Sequence, residues 1–150
     1  MFGRLTPEHV ASLFSSWVEG LPKLVFWTRL LTAWRGSREL FATGEYRPVE
    51  IRGPAAEHFV AFIRRQAEDV ALVCVGRHFS LLAPSPGVLP GLERLADTVL
   101  LTDALVGRLW IEALSGRTLD ARMGRECLPS LMNVLGDMPW AVWVTSPSQS

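Results

Sequence analysis

An excess of charge of either sign is the first thing this chain lacks. Fifteen basic residues stand against fifteen acidic ones, for a formal net charge of zero. The electrostatic footprint of nucleic-acid and anionic-membrane binders is therefore missing, and neutral partners are expected. Cysteine is scarce: Cys74 and Cys127 lie far apart in apolar stretches. Both read as buried core thiols rather than as a disulfide or a metal pair. No run reaches the roughly 18 consecutive apolar residues that a membrane helix needs, and the longest clean one, over 70–76, is strand-sized. Residues 1–18 alternate polar with apolar instead of building a secretory leader, so a cytoplasmic location is expected. Phosphate-cradling glycine clusters and a G-x-S-x-G turn are absent as well. His9, His58 and His78 are scattered without zinc-ligand spacing, and the proximity of His78 to Cys74 reads as a coincidence at a strand end. No metal and no cofactor are expected.

What the chain does have is 150 residues at 49% hydrophobic content, enough for one well-buried domain, and six tryptophans. Tryptophan-rich neutral proteins can stack sugars or grip partners, but a large core residue is the first reading. Thr6-Pro7-Glu8 is a helix start, followed by Val10, Leu13, Phe14, Trp17 and Val18 on one stripe, with Gly20 as the stop. Pro22 opens a second helix to about residue 35. In that helix Leu24, Trp27, Leu31 and Trp34 form one apolar row, and Phe26, Leu30 and Ala33 form another. A helix so apolar around its circumference is expected to lie between two layers.

Further along, the pattern turns to strands, predicted over 46–51, 57–64, 70–75, 98–101 and 109–114. A proline- and glycine-punctuated loop is expected over 82–91, and a Ser115-Gly116 turn leads into a strand over 117–119. A helix over 129–135, a closing strand over 140–144 and a tail over 146–150 complete the order. Helices first and strands afterwards predict an α+β arrangement. Most acids fall at turns and polar faces. Glu50 and Glu112 alternate with apolar neighbours and are expected to point outward, so no carboxylate pair is positioned for glycoside chemistry. Trp110, Trp140 and Trp143 are candidate sugar platforms if they too point outward, and packing is the favoured reading for them.

The order of several phrases resembles the late part of the maltooligosyltrehalose synthase family, over nearly the whole chain. Trp17, Gly20, Lys23 and Leu24 match a W-x-x-G-x-x-K-L phrase. Glu39, Leu40, Phe41, Gly44, Tyr46 and Pro48 match E-L-F-x-x-G-x-Y-x-P. Ala56, Glu57, His58 and the strand Val60-Ala61-Phe62 follow, then Leu114, Gly116, Arg117 and Thr118 as an L-T-G-R-T hairpin. Residues from Leu131 to Val144 are similar to the closing strand of that family. The chain departs from the pattern at Trp27, Trp34 and Gly36, where a basic helix is usual, and at Val75, Gly76, Arg77 and His78, where V-P-R-L is usual.

The resemblance implies the last helices of an amylase-type barrel over 1–38, an antiparallel β-sandwich of the amylase C-terminal type over 39–146, and a tail over 147–150. It implies an isomerase that turns the terminal α-1,4 bond of a malto-oligosaccharide into an α,α-1,1 bond on three barrel carboxylates. Those carboxylates have no counterpart here, so no catalytic residue carries over. The role implied for this chain is structural bracing, and a truncated, separately encoded or decaying copy is expected. An α-glucan-binding or protein-interaction module is the alternative. In the family the second helix lies between barrel and β-domain, which makes Leu24, Phe26, Trp27, Leu30, Leu31 and Trp34 the expected interaction surface. Its partner would be a separate barrel or a second copy, with malto-oligosaccharide as a possible ligand.

Overall fold

A computed structural model describes residues 5, 6, 8, 9, 12, 13, 20–77, 81, 95–104, 106–120 and 129–145. Most of the expected first helix, the 82–91 loop, His78, Cys127 and the 146–150 tail lie outside the described residues. Helix α1 (Leu21–Gly36) starts after Gly20, which sits at a φ of 75°, with Pro22 in its first turn where the missing N–H costs nothing. Ser37 interrupts it, and a short helix α2 (Arg38–Thr43) follows. Residues 39–43, expected inside the β-domain, are thus helical. Leu40 on α2 is buried, and the chain turns at Gly44, where a Cβ would run into the Leu40 carbonyl. Two fixed points of the E-L-F-x-x-G phrase therefore have a steric reason.

Strand β1 (Glu45–Arg52) is followed by a single 3-10 turn (Ala56–His58), then β2 (Phe59–Gln66) and β3 (Asp69–Gly76). The strand expected from residue 57 starts later because that turn precedes it. Three short strands come next: β4 (Val99–Leu101), β5 (Leu109–Glu112) and β6 (Thr118–Asp120). Helix α3 (Leu131–Leu135) is capped by the Ser130 hydroxyl, which accepts from the Asn133 N–H at 3.3 Å, and β7 (Trp140–Thr145) closes the order.

All pairings are antiparallel, and the described strands form one sheet in the order β4-β1-β2-β3-β7-β5-β6. The α+β class holds, but a single curled sheet stands where two stacked sheets were expected. The reason lies in β1, which changes partner along its length. Residues Glu45 to Val49 pair with β2, and Glu50 to Arg52 pair with β4, so the sheet bends through one strand without breaking. Its inner face carries Val49, Ala61, Ile63, Leu72, Cys74, Trp110 and Trp143, closed by Leu131, Val134 and Leu135 of α3. Alternation does the sorting.

One position breaks the expectation for polar residues. Glu112 was expected outward and is 2% exposed, on the same inward face as Trp110, which is fully buried. The β5–β7 ladder ends at the Glu112–Trp143 pair, and the next β7 amide, that of Val142, needs another acceptor. Glu112 Oε1 supplies it at 2.9 Å, while Oε2 accepts from the Ser115 N–H and so shapes the turn. The strand expected to 114 therefore ends at Glu112, and Gly116 completes the turn at a φ of 77°. An unpartnered buried amide costs about 1–3 kcal/mol. Glu112→Ala should thus lower the unfolding free energy by roughly 2–4 kcal/mol, with Glu112→Gln, which keeps one acceptor oxygen, losing about half as much. Urea unfolding followed by circular dichroism measures both.

Candidate functional site

Among the described residues helix α1 is docked by one side only. Phe26 packs its ring 4.8 Å from that of Trp140, and Arg29 donates from Nη1 to the Leu114 carbonyl at 2.8 Å. Burial lowers the pKa of the Arg29 guanidinium, and the Glu112 carboxylate counters part of that shift. Leu30 and Ala33 are half-buried on this side. The six residues expected to form an interaction surface therefore divide. Phe26 and Leu30 turn inward, whereas Leu24, Trp27, Leu31 and Trp34 are 64, 50, 48 and 39% exposed.

The exposed four fall at alternating spacings of three and four residues, the seam of a helix that packs along another helix. Their polar neighbours do little to wet the face. Thr28 and Thr32 each donate their hydroxyl to the carbonyl four residues back, Leu24 and Thr28 respectively, at 2.8 Å, which satisfies the hydroxyls within the helix. At the C-terminal end the Arg38 guanidinium lies 5.5 Å from the Trp34 ring centroid. Beside the first turn, Phe26, Trp27, Trp140, Pro22 and Lys23 line a cleft of about 530 Å³.

The candidate sugar platforms are mostly packing. Trp110 and Trp143 are core residues, and Trp143 donates from Nε1 to the Val134 carbonyl at 3.0 Å. Trp140 is half-buried on the outer face and belongs to the cleft. Glu50 points outward and pairs with Arg52 at 2.9 Å, as its alternation predicts. With Glu112 held in the core by backbone amides, the two carboxylates do not converge. His9 bonds locally with Thr6, and His58 lies 3.5 Å from Glu57. Among the described residues no group of three or more potential ligands could hold a metal ion, and no helix is long and apolar enough to cross a membrane. Sequence reasoning missed the inward turn of Glu112 and the clamp made by Arg29. The only signal for the former is a carboxylate three residues before a serine-glycine turn.

A search of solved structures finds this architecture in a mutant of maltooligosyltrehalose synthase from Arthrobacter ramosus. The two superpose with a TM-score of 0.57 at 23% sequence identity over 95% of this chain. Only 17% of the synthase chain is covered, so this chain spans a small part of that protein's length. The likeness is one of fold. No protein-family model and no curated protein matches the sequence.

Cys74 bears on reactivity. Burial pushes its thiol up to about 12, the opposite of what a nucleophile needs. Between the pKa of an unfolded cysteine, about 8.5, and that value the unfolded chain has lost the proton while the folded one keeps it, so stability falls as pH rises. In a Cys127→Ser background, the wild-type Cys74 protein should lose stability faster than Cys74→Ala above about pH 9, by up to roughly 1.4 kcal/mol per pH unit. Denaturation midpoints across the alkaline range give that difference.

Proposed function

We propose that this chain is a bracing module of a maltooligosyltrehalose-synthase-like protein: non-catalytic alone, and docked to an amylase-type barrel through the outward row of α1. The observation that carries the reading is that row, Leu24, Trp27, Leu31 and Trp34, left open on a helix whose other side is clamped to the sheet. Support also comes from the match of nearly the whole chain to a small part of a maltooligosyltrehalose synthase. The remaining 83% of such a protein is what the open row would meet. Fully burying one large apolar side chain contributes about 1.5–3 kcal/mol, so covering these four half-exposed ones would contribute several kcal/mol to a domain contact. A division into residues 1–38 on the barrel side and 39–146 as the β-module belongs to the same reading.

Malto-oligosaccharide binding is a second reading, favoured by the aromatic cleft of Phe26, Trp27 and Trp140. Calorimetry with maltopentaose tests it directly, with loss of binding in Trp27→Ala as its signature.

For the bracing reading, the isolated chain should yield no trehalose-forming or hydrolytic product after long incubation with maltopentaose. Co-expression with an amylase-type barrel that lacks its own C-terminal module should give a soluble complex. Trp27→Glu with Leu31→Glu should abolish co-purification, while the strand signal in circular dichroism persists. Turnover by the chain alone, or a complex indifferent to the double substitution, would overturn the reading.

A further inference from the structure

The inner face of the sheet opens at the end of β3 that carries Val70, the opposite end from Val75, which pairs with Trp140 beside the α1 cleft. A cavity of about 700 Å³ lies there, unconnected with the proposed docking row. Its floor is apolar: Val49, Ile63, Val70 and Leu101. Around it stand three guanidiniums, from Arg47, Arg65 and Arg108; one carboxylate, from Asp103, lines the cavity, and two more, from Glu45 and Glu68, pair with Arg47 and Arg108 at its edge.

Register explains how the arginines meet. Arg47 pairs with Ile63 across the β1–β2 ladder, and Arg65 lies two residues further along β2, so the two are diagonal neighbours on one face. Long side chains at that spacing can reach one group. Two of the three are held in place from outside the cavity. Glu45 grips Arg47 through Nε at 2.8 Å and Nη2 at 3.1 Å. Arg108 donates from Nη1 to the Glu68 carbonyl at 2.7 Å. Arg65, exposed, makes no side-chain hydrogen bond among the described residues. It stands opposite Glu45 across the β1–β2 ladder; hydrogen bonds from Arg47 hold that carboxylate ionised, and the charge of Arg65 helps. The planar fork of five N–H donors on Arg65 matches carboxylate and phosphate oxygens.

We infer that this cavity binds a small organic anion, a carboxylate or phosphate group on an apolar body, with the anion on Arg65 between the prefixed Arg47 and Arg108 and the body on the Val49–Ile63–Val70–Leu101 floor. The lining selects against a neutral sugar, because no aromatic ring is present among the described residues around it to stack a pyranose face. A concave, half-apolar site with a few convergent polar groups is the usual form of a small-molecule pocket.

Calorimetric titration of the full chain with phenyl phosphate, benzoate, benzyl alcohol and inorganic phosphate tests this. One or both of the organic anions should bind, which distinguishes a phosphate from a carboxylate site. Benzyl alcohol and inorganic phosphate should each bind at least about tenfold more weakly, since each lacks one half of the recognised group. Affinity should fall with added salt. Arg65→Gln should weaken the preferred anion about tenfold or more with the unfolding midpoint unchanged, and Ala104→Trp, which fills the cavity from the loop after β4, should block it. Absence of binding by both organic anions, equal binding of the neutral alcohol or of phosphate alone, or indifference to both substitutions would overturn the proposal.

Discussion

A single buried carboxylate decides how the parts of this protein sit together. Taking a carboxylate out of water costs several kcal/mol unless its oxygens are fully engaged. Glu112 meets that condition by accepting from the amides of Val142 and Ser115, which lie on different segments. One amide belongs to the closing strand where its ladder with β5 runs out, and the other to the turn before β6. Arg29 of α1 lies close enough to share the field of the carboxylate, and donates to the carbonyl of Leu114 in the same turn. Strand, turn and helix are therefore oriented about one charge. The direction in which α1 presents its outer row follows from that clamp.

The resemblance rested on phrases, and the structure gives several of them mechanical reasons. Gly44 is required where the chain leaves α2 against the Leu40 carbonyl. Arg117 of the hairpin phrase lies 5.2 Å from the centroid of the Trp143 ring and donates from Nη2 to the Val134 carbonyl at 3.0 Å. Trp143 Nε1 donates to the same carbonyl. The end of α3, the hairpin and the closing strand thus meet at one backbone oxygen, with both donors supplied by residues of the matching phrases. Such positions tolerate little exchange, because each replacement would strand a partner in a low-dielectric interior.

Much of the order was legible in the sequence because period and punctuation are local. The second helix, the three long strands, the hairpin and the closing strand fall within a residue or two of their expected bounds, apart from the 3-10 turn at Ala56–His58 that delays β2. Three features were not legible, the last two for a nonlocal reason. Helix α2 has six residues, too few for a periodic signal. A single sheet replaces the expected pair because β1 changes partner between Val49 and Glu50, a matter of ladder register. Glu112 reads as an outward acid by alternation, and only the end of its ladder with β7, a strand three elements further along the chain, makes it an acceptor. The candidate surface was half legible. Both apolar rows of α1 are plain in the sequence, but nothing local tells which one the sheet takes.

The row the sheet leaves is organised differently from an incidental scatter of exposed apolar residues. Single exposed leucines are ordinary on protein surfaces. Four large side chains in sequence register, each 39–64% exposed, with the intervening threonines bonded back into the helix, make a continuous apolar strip. The inner row already satisfies the sheet, through Phe26 on Trp140 and Arg29 on the turn. The contacts that hold α1 to the sheet are therefore made by the inner row rather than by Leu24, Trp27, Leu31 or Trp34. A second surface covering those four positions is what the proposed docking would supply, and the clamp at Glu112 fixes the orientation in which the row is presented.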